Sequence, residues 1–298
     1  MTTKGGIERE GLSVNLENLH LRSTAESLLQ NSTPLLTPDL SLIADWAQTL
    51  PPFPQDQQPI IILDLDDTVW PHVKHLVKAI SKASNVPIDM DYYREIGHTR
   101  KIPEWQTEKI SIIHDQILLN EHPDYLPMVN LAYQDALNTI TALKQLNCRL
   151  VYLTSRPLET YDLTLKTLAL NSLPYAQTKI PPNALQDLTP RADHLYCSPF
   201  NVPSGTQYKQ TVLNRWLINL DQQDWQNPLI IIDDLLKPFQ AIIDQRTVHG
   251  ISLAGDVNSH ARPYLNEVRF PSWSKISQHL FTILSQHQTA NQAVIGLD

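Results

Sequence analysis

Cysteine is almost absent. Cys148 and Cys197 are the only two in 298 residues, too few for a disulfide framework and without the spacing of a metal-thiolate site. This usage fits a reducing compartment, and the chain reads as cytoplasmic. Glycine is equally scarce, with 8 residues where a chain of this size ordinarily carries about 7%. Neither G-x-G-x-x-G nor G-x-x-x-x-G-K occurs, which excludes the dinucleotide fingerprint and the P-loop. Any ligand must therefore be held by side chains or ordinary loops. Runs of Lys or Arg are also missing, and 23 basic against 31 acidic residues give a net charge of -8. An extended nucleic-acid surface is thereby disfavoured, and phosphate chemistry would need a local cation or a cluster of donors. No stretch approaches the ~18 apolar residues of a membrane span, and the N-terminus has no apolar leader core; the reading is of no membrane association.

What remains is the composition of a folded chain, 42% apolar and 18% charged, long enough for one large domain or two small ones. Residues 1–58 read as an N-terminal extension. It holds one helix over Thr37 to Leu50, with Thr37 as cap, Pro38 at the first helical position and Leu40, Ile43, Ala44, Ala47 and Leu50 at helical spacing. A Pro-rich connector, Pro51 to Pro59, follows. Three apolar runs dominate the rest: Ile60–Leu63, Leu150–Leu153 and Leu229–Ile232. None alternates with polar residues, as suits central parallel strands covered on both faces. Each stops at a polar residue, Asp64, Thr154 or Asp233, and ligands in open α/β sheets sit beyond such strand ends. Helical patterns at Asp135 to Leu146 and Leu158 to Leu170 supply crossovers, and Ser272 to Gln286 reads as a closing amphipathic helix. The fold class is α/β, a Rossmann-like three-layer core with a central parallel sheet, over 59–68 and 131–298. The interval 69–130 is too long for a simple crossover and carries helical patterns at Val73 to Ala83 and Trp105 to Leu119, which reads as an inserted, mostly helical cap.

The chemistry concentrates in Ile60-Ile61-Ile62-Leu63-Asp64-Leu65-Asp66-Asp67-Thr68. Two carboxylates separated by one residue at a strand end lie close enough to hold a divalent cation and to raise one another's pKa. An acidic turn that merely ends the strand and caps the next helix is the competing reading. The segment resembles the first motif of the haloacid dehalogenase-like hydrolase superfamily, D-x-D-x-[TV] after an apolar strand. Three further motifs of that family follow in order. Leu150-Val151-Tyr152-Leu153-Thr154-Ser155-Arg156-Pro157 matches the apolar strand ending in Thr or Ser. Lys209 stands near the start of a helical face formed by Val212, Leu213, Trp216, Leu217 and Leu220, with Lys179, after a possible strand Tyr175 to Thr178, as its rival. Leu229-Ile230-Ile231-Ile232-Asp233-Asp234 matches the apolar strand ending in acids, in a paired-Asp form.

The resemblance implies a Mg2+-dependent phosphomonoester hydrolase acting on a small molecule through an aspartyl-phosphate. Asp64 would be the nucleophile, Asp66 the acid and then the base, and Thr154 and Lys209 the groups that hold the transferring phosphoryl oxygens. Mg2+ would be held by Asp64, the backbone carbonyl of Asp66 and Asp234, with Asp233 as a second ligand or an orienting neighbour. The second Asp, Asp66, points within the family to phosphatases or phosphomutases. A phosphotransferase or mutase, or a phosphatase of nucleotides or nucleic-acid ends, fits the same motifs, whereas a non-catalytic binding module has no physical reason to cluster carboxylates. Ser155 and Arg156 lie where a substrate anion would meet them, and Arg156 can equally pair with a neighbouring acid. Arg100, with Arg94, His98 and Lys101, is either a specificity patch or a solvated helix end. His72 and His75 read as stem residues of the cap rather than ligands, because Mg2+ prefers oxygen.

Overall fold

The computed structural model describes residues 34–96, 101–102, 109–118, 131–178, 180–199, 204–236, 239, 248–254 and 267–295. Six strands form one sheet: β1 (Ile60–Leu63), β2 (Arg149–Pro157), β3 (His194–Ser198), β4 (Leu229–Asp233), β5 (Val248–Leu253) and β6 (Glu267–Phe270). Every pairing is parallel, in the order β3-β2-β1-β4-β5-β6. The three apolar runs are the three central strands, and β1 pairs residue for residue with both β2 and β4. The helices are α1 (Leu40–Thr49), α2 (His72–Ser84), α3 (Met90–Ile96), α4 (Lys109–Leu118), α5 (Gln134–Gln145), α6 (Tyr161–Leu170), α7 (Gly205–Gln222) and α8 (Trp273–Ile295).

Period-two geometry divides the central strands between two cores. Ile61, Leu63, Leu150, Tyr152, Ile230 and Ile232 pack with residues of α1, α5 and α8, including Trp46, Leu143 and Leu280. Ile60, Ile62, Val151, Leu153, Leu229 and Ile231 face the other way onto Tyr208, Val212, Trp216 and Leu220 of α7. Both faces are covered, which is why no polar residue interrupts the runs Ile60–Leu63, Leu150–Leu153 and Leu229–Ile232. Each fully buried Leu or Ile contributes roughly 1.5–3 kcal/mol of transfer free energy. A third, separate cluster joins Leu76, Val77, Ile80, Ile88, Tyr93 and Ile110 among α2, α3 and α4.

Several details depart from the sequence reading. Helix α1 begins three residues after Thr37, and its cap is Asp39, whose carboxylate accepts from Ser41 N at 2.9 Å. A carboxylate there accepts from one of the orphan N–H groups of the first turn, and it complements the helix dipole. The buried face of α1 uses Trp46 and Leu50, while Ala44 and Ala47 are exposed. The connector is not free: Phe53 is buried, its N–H donates to Leu146 O, and a single 3-10 turn covers Gln55–Gln57. Tyr175 to Thr178 forms no strand; the edge beside β2 is taken by β3. The scarcity of glycine is met by Asn85, Asn147, Ser172, Asp193 and Asp224, which adopt positive φ. Asn and Asp tolerate that region best among residues with a side chain.

Candidate active site

The sheet order reverses at β1, whose neighbours β2 and β4 lead off in opposite directions. Crevices at such a point, outside the carboxyl ends of the strands, are where open α/β sheets bind ligands. Asp64 follows β1 directly, and its N–H donates to Ile232 O at 2.9 Å, continuing the ladder by one residue. That bond sets Asp64 beside Asp233, the last residue of β4. Carboxylate oxygens of Asp64, Asp233 and Asp234 lie within 4.8 Å of one another.

Helix α7 brings the cation. Ser204 caps it, its Oγ accepting from Gln207 N at 3.1 Å. Gly205 then lets the helix start press on the end of β2, where a Cβ would sit 2.3 Å from Ser155 Cβ. One turn on, Lys209 is only 6% exposed, and its Nζ stands 2.6 Å from Asp64 Oδ1 and 2.9 Å from Asp233 Oδ2. Three carboxylates thus gather at one ammonium. Hard oxygen donors at this spacing suit Mg2+ or a similar ion. Without such an ion, burial first and then the Asp233 charge push the Asp64 carboxyl up to about 7, against the downward pull of Lys209. Asp234 is held well above the usual carboxylate range, first by burial and then by Asp233 and Asp64. Lys209, although buried, is held charged by Asp233 and Asp64.

Asp66 is in the opposite condition. The turn after β1 folds tightly: Leu65 O accepts from Thr68, Val69 and Trp70 N–H groups, and Asp67 takes φ 58°. Its backbone is anchored from outside by Trp273 Nε1, which donates to Thr68 O at 2.7 Å, and by Tyr133 N, which donates to Val69 O at 3.0 Å. The turn brings the Trp70 indole back over Asp66, with Nε1 donating to Oδ1 at 2.7 Å. Arg156, two residues past Thr154, donates to both oxygens, with Nη2 at 2.7 Å from Oδ1 and Nε at 2.9 Å from Oδ2. Burial alone would raise the Asp66 pKa, but Arg156, His72 and Trp70 together hold it below the ordinary carboxylate range. Of the two alternatives for Arg156, this is the pairing with a neighbouring acid. His72 opens α2 with Nδ1 3.5 Å from Asp66 Oδ1, and burial leads in holding its pKa down at about 4. The Asp67 carboxylate accepts from Val73 N at 2.9 Å and so caps the start of α2.

Asp64, Asp66, Thr154, Ser155, Lys209, Asp233 and Asp234 line one cavity of about 240 Å³, with Asp67, His72, Val73, Thr206, Leu235 and Phe239 completing its wall. Thr154 is buried and Ser155 exposed. Arg156 meets the cavity through Asp66. Arg100, His98 and Lys179 lie outside the described residues, while Lys101 is exposed and Arg94 pairs with Asp91 at 2.6 Å. Trp70 and Thr206 were not singled out by sequence. The available signal for Trp70 was its position four residues after Asp66, inside a turn that must close tightly to start α2.

Among the described residues no helix is long and apolar enough to cross a membrane. No protein-family model matches the chain, and no curated protein matches it. Among solved structures, it is similar to a hydrolase from Pseudomonas syringae, at 18% identity over 75% of this chain and 98% of that one, with a TM-score of 0.41. It is also similar to a structure named "Putative beta-phosphoglucomutase from Bacteroides vulgatus", at 11% identity over 83% of this chain and 96% of the other, with a TM-score of 0.41. Similarity at this level carries no functional weight, so the reading of the site rests on its own residues.

Proposed function

We propose that this chain is a Mg2+-dependent phosphomonoester hydrolase of the haloacid dehalogenase-like kind, acting on a small molecule through a phosphorylated Asp64. The observation that carries the proposal is the buried Lys209 Nζ set between Asp64 and Asp233, with a third carboxylate, Asp234, in reach. A dianionic phosphate monoester is repelled by a carboxylate nucleophile unless cations neutralise both, and such electrostatic clamps supply the largest share of phosphoryl-transfer catalysis. Bound by Asp64, Asp233 and Asp234, Mg2+ would neutralise the phosphoryl charge and align it with the nucleophile.

The chain's own residues do the remainder. An Asp64 oxygen attacks phosphorus as the ester P–O bond breaks. Asp66, whose protonation the bound phosphoryl dianion favours against the pull of Arg156, gives the leaving oxygen that proton, so a neutral alcohol departs and Asp64 is left as an acyl phosphate. Asp66 then takes a proton from water as that water attacks phosphorus, which returns Asp64 to a free carboxylate and releases inorganic phosphate. Lys209 holds the phosphoryl charge, and Thr154 donates to its oxygens from the wall of the cavity. Helices α2, α3 and α4 form the cap: they share a core of their own, and His72 and Val73 at the start of α2 already line the cavity. Closure over the substrate would exclude bulk water during the first step.

The test is phosphate release from a panel of phosphomonoesters, with Mg2+ and with chelator, for the wild type and Asp64→Asn. Release that needs the metal and falls by at least about 10³-fold in the variant is the expected result, since an amide in place of the Asp64 carboxylate cannot form the acyl phosphate. No release from any panel member, or full release by Asp64→Asn, overturns the proposal.

A further inference from the structure

The two oxygens of Asp66 are not equivalent. Oδ1 receives Trp70 Nε1 at 2.7 Å, Arg156 Nη2 at 2.7 Å and Arg156 Nε at 3.1 Å, with His72 Nδ1 a further neighbour at 3.5 Å. Among the described residues, Oδ2 receives Arg156 Nε alone, at 2.9 Å. An indole N–H is a donor and never an acceptor. As long as Trp70 stays in place, Oδ1 is therefore committed as an acceptor, and a proton carried by Asp66 must sit on Oδ2. Trp70 also fixes the other clamp, because the Arg156 guanidinium lies over its ring, 5.2 Å from the centroid. This tryptophan is itself fully buried, and its backbone is tied to Leu65 O and Asp67 N, so it cannot follow Asp66 if the carboxylate turns.

We propose that Trp70 is a positioning residue for the proposed reaction, holding Asp66 Oδ1 as the fixed acceptor so that Oδ2 is the oxygen that exchanges the proton with the leaving group. The inference rests on the hydrolase reading given above. Without the indole N–H, an acceptor position on Oδ1 opens, so either oxygen can carry the proton and Arg156 alone orients the carboxylate. The loss then falls on proton delivery and not on attack by Asp64.

That distinction sets the experiment. Trp70→Phe keeps an aromatic face for Arg156 and removes the N–H. For an alkyl phosphate, whose leaving oxygen needs a proton, kcat/KM should fall about 10- to 100-fold, a part of the roughly 10²- to 10⁴-fold that a positioned general acid supplies. For p-nitrophenyl phosphate, whose leaving group departs as the anion, kcat/KM should fall less than about threefold. A purely structural role for Trp70 lowers both alike, so equal losses, or none, overturn the inference while Asp64→Asn still tests the hydrolase reading separately. A wild type without metal-dependent phosphate release overturns both. If Trp70→Phe does not fold, indole N–H signals of the 15N-tryptophan-labelled protein decide the matter. The Trp70 signal, downfield in the wild type because its acceptor is charged, moves upfield in Asp66→Asn. No movement among the six tryptophan signals refutes the contact on which the inference stands.

Discussion

Replacing Lys209 by Met keeps an unbranched side chain, one atom shorter, and removes the charge and its N–H donors, leaving three carboxylates close to one another. In metal-free protein the expected cost is about 3–5 kcal/mol, the usual consequence of taking one partner from a buried ion pair. Against the 5–15 kcal/mol that stabilises an ordinary domain, this is a large fraction. The loss should depend on pH, and its sign follows from Asp64. With its folded pKa raised from 3.8 to about 7, the native state holds this proton more tightly than the unfolded chain. Asp64 therefore favours the native state at low pH, and that contribution is lost as pH rises from about 4 through about 7. Removing Lys209, which pulls the Asp64 pKa down, enlarges the loss at high pH, so the deficit against the wild type should be smaller at pH 5 than at pH 7.5. Added Mg2+ should restore stability at pH 7.5, by supplying the charge that the lysine no longer does. The assay is urea unfolding followed by tryptophan fluorescence, with chelator and with Mg2+, at pH 5 and 7.5. Arg215→Met, on the exposed face of the same helix, is the control and should stay within about 0.5 kcal/mol of the wild type. If Lys209→Met in chelator at pH 7.5 is no less stable than Arg215→Met, Lys209 does not compensate the acidic cluster and the electrostatic argument for the site fails.

Gly205→Ala should act on the same site from the other side. Its new Cβ would meet Ser155 Cβ at 2.3 Å, a backbone-proximal atom that cannot swing away, so α7 and the end of β2 must part. Overpacking of this sort costs about 1–3 kcal/mol, and phosphate release should fall more than stability does because Thr154 and Lys209 are drawn apart; unchanged release at unchanged stability would show that the close approach is not needed. The thiols should be inert: burial pushes Cys197 up to about 12 and Cys148 higher still, and both are nearly inaccessible. Neither should react with a disulfide reagent at pH 8 until denaturant is added, and titration of either in the native protein would contradict the burial.

Sequence alone determined the centre of this protein. Strands buried on both faces must be continuously apolar, so the apolar runs of β1, β2 and β4 announce themselves locally, and the polar residue after each run marks the sheet edge at which Asp64, Thr154 and Asp233 gather. Helices α2 and α5 were readable for a similar reason, their apolar spacing being set by the one core each covers. Strands β3, β5 and β6 were not: His194–Ser198 and Glu267–Phe270 are short and mixed in character, and each becomes a strand only because a neighbour supplies a ladder to join. The same holds within the site. Lys209 was assigned from its place near a helix start, but its fit between Asp64 and Asp233 depends on how α7 packs against two adjacent strands. Arg156 stood open between substrate and acid. Asp66 lies 90 residues away from it along the chain, and only the pairing of β1 with β2 brings the two together. Local patterns report which side chains must be buried; which oxygen a buried donor reaches is decided by strand order, register and the turn between them, and those exist only in the folded chain.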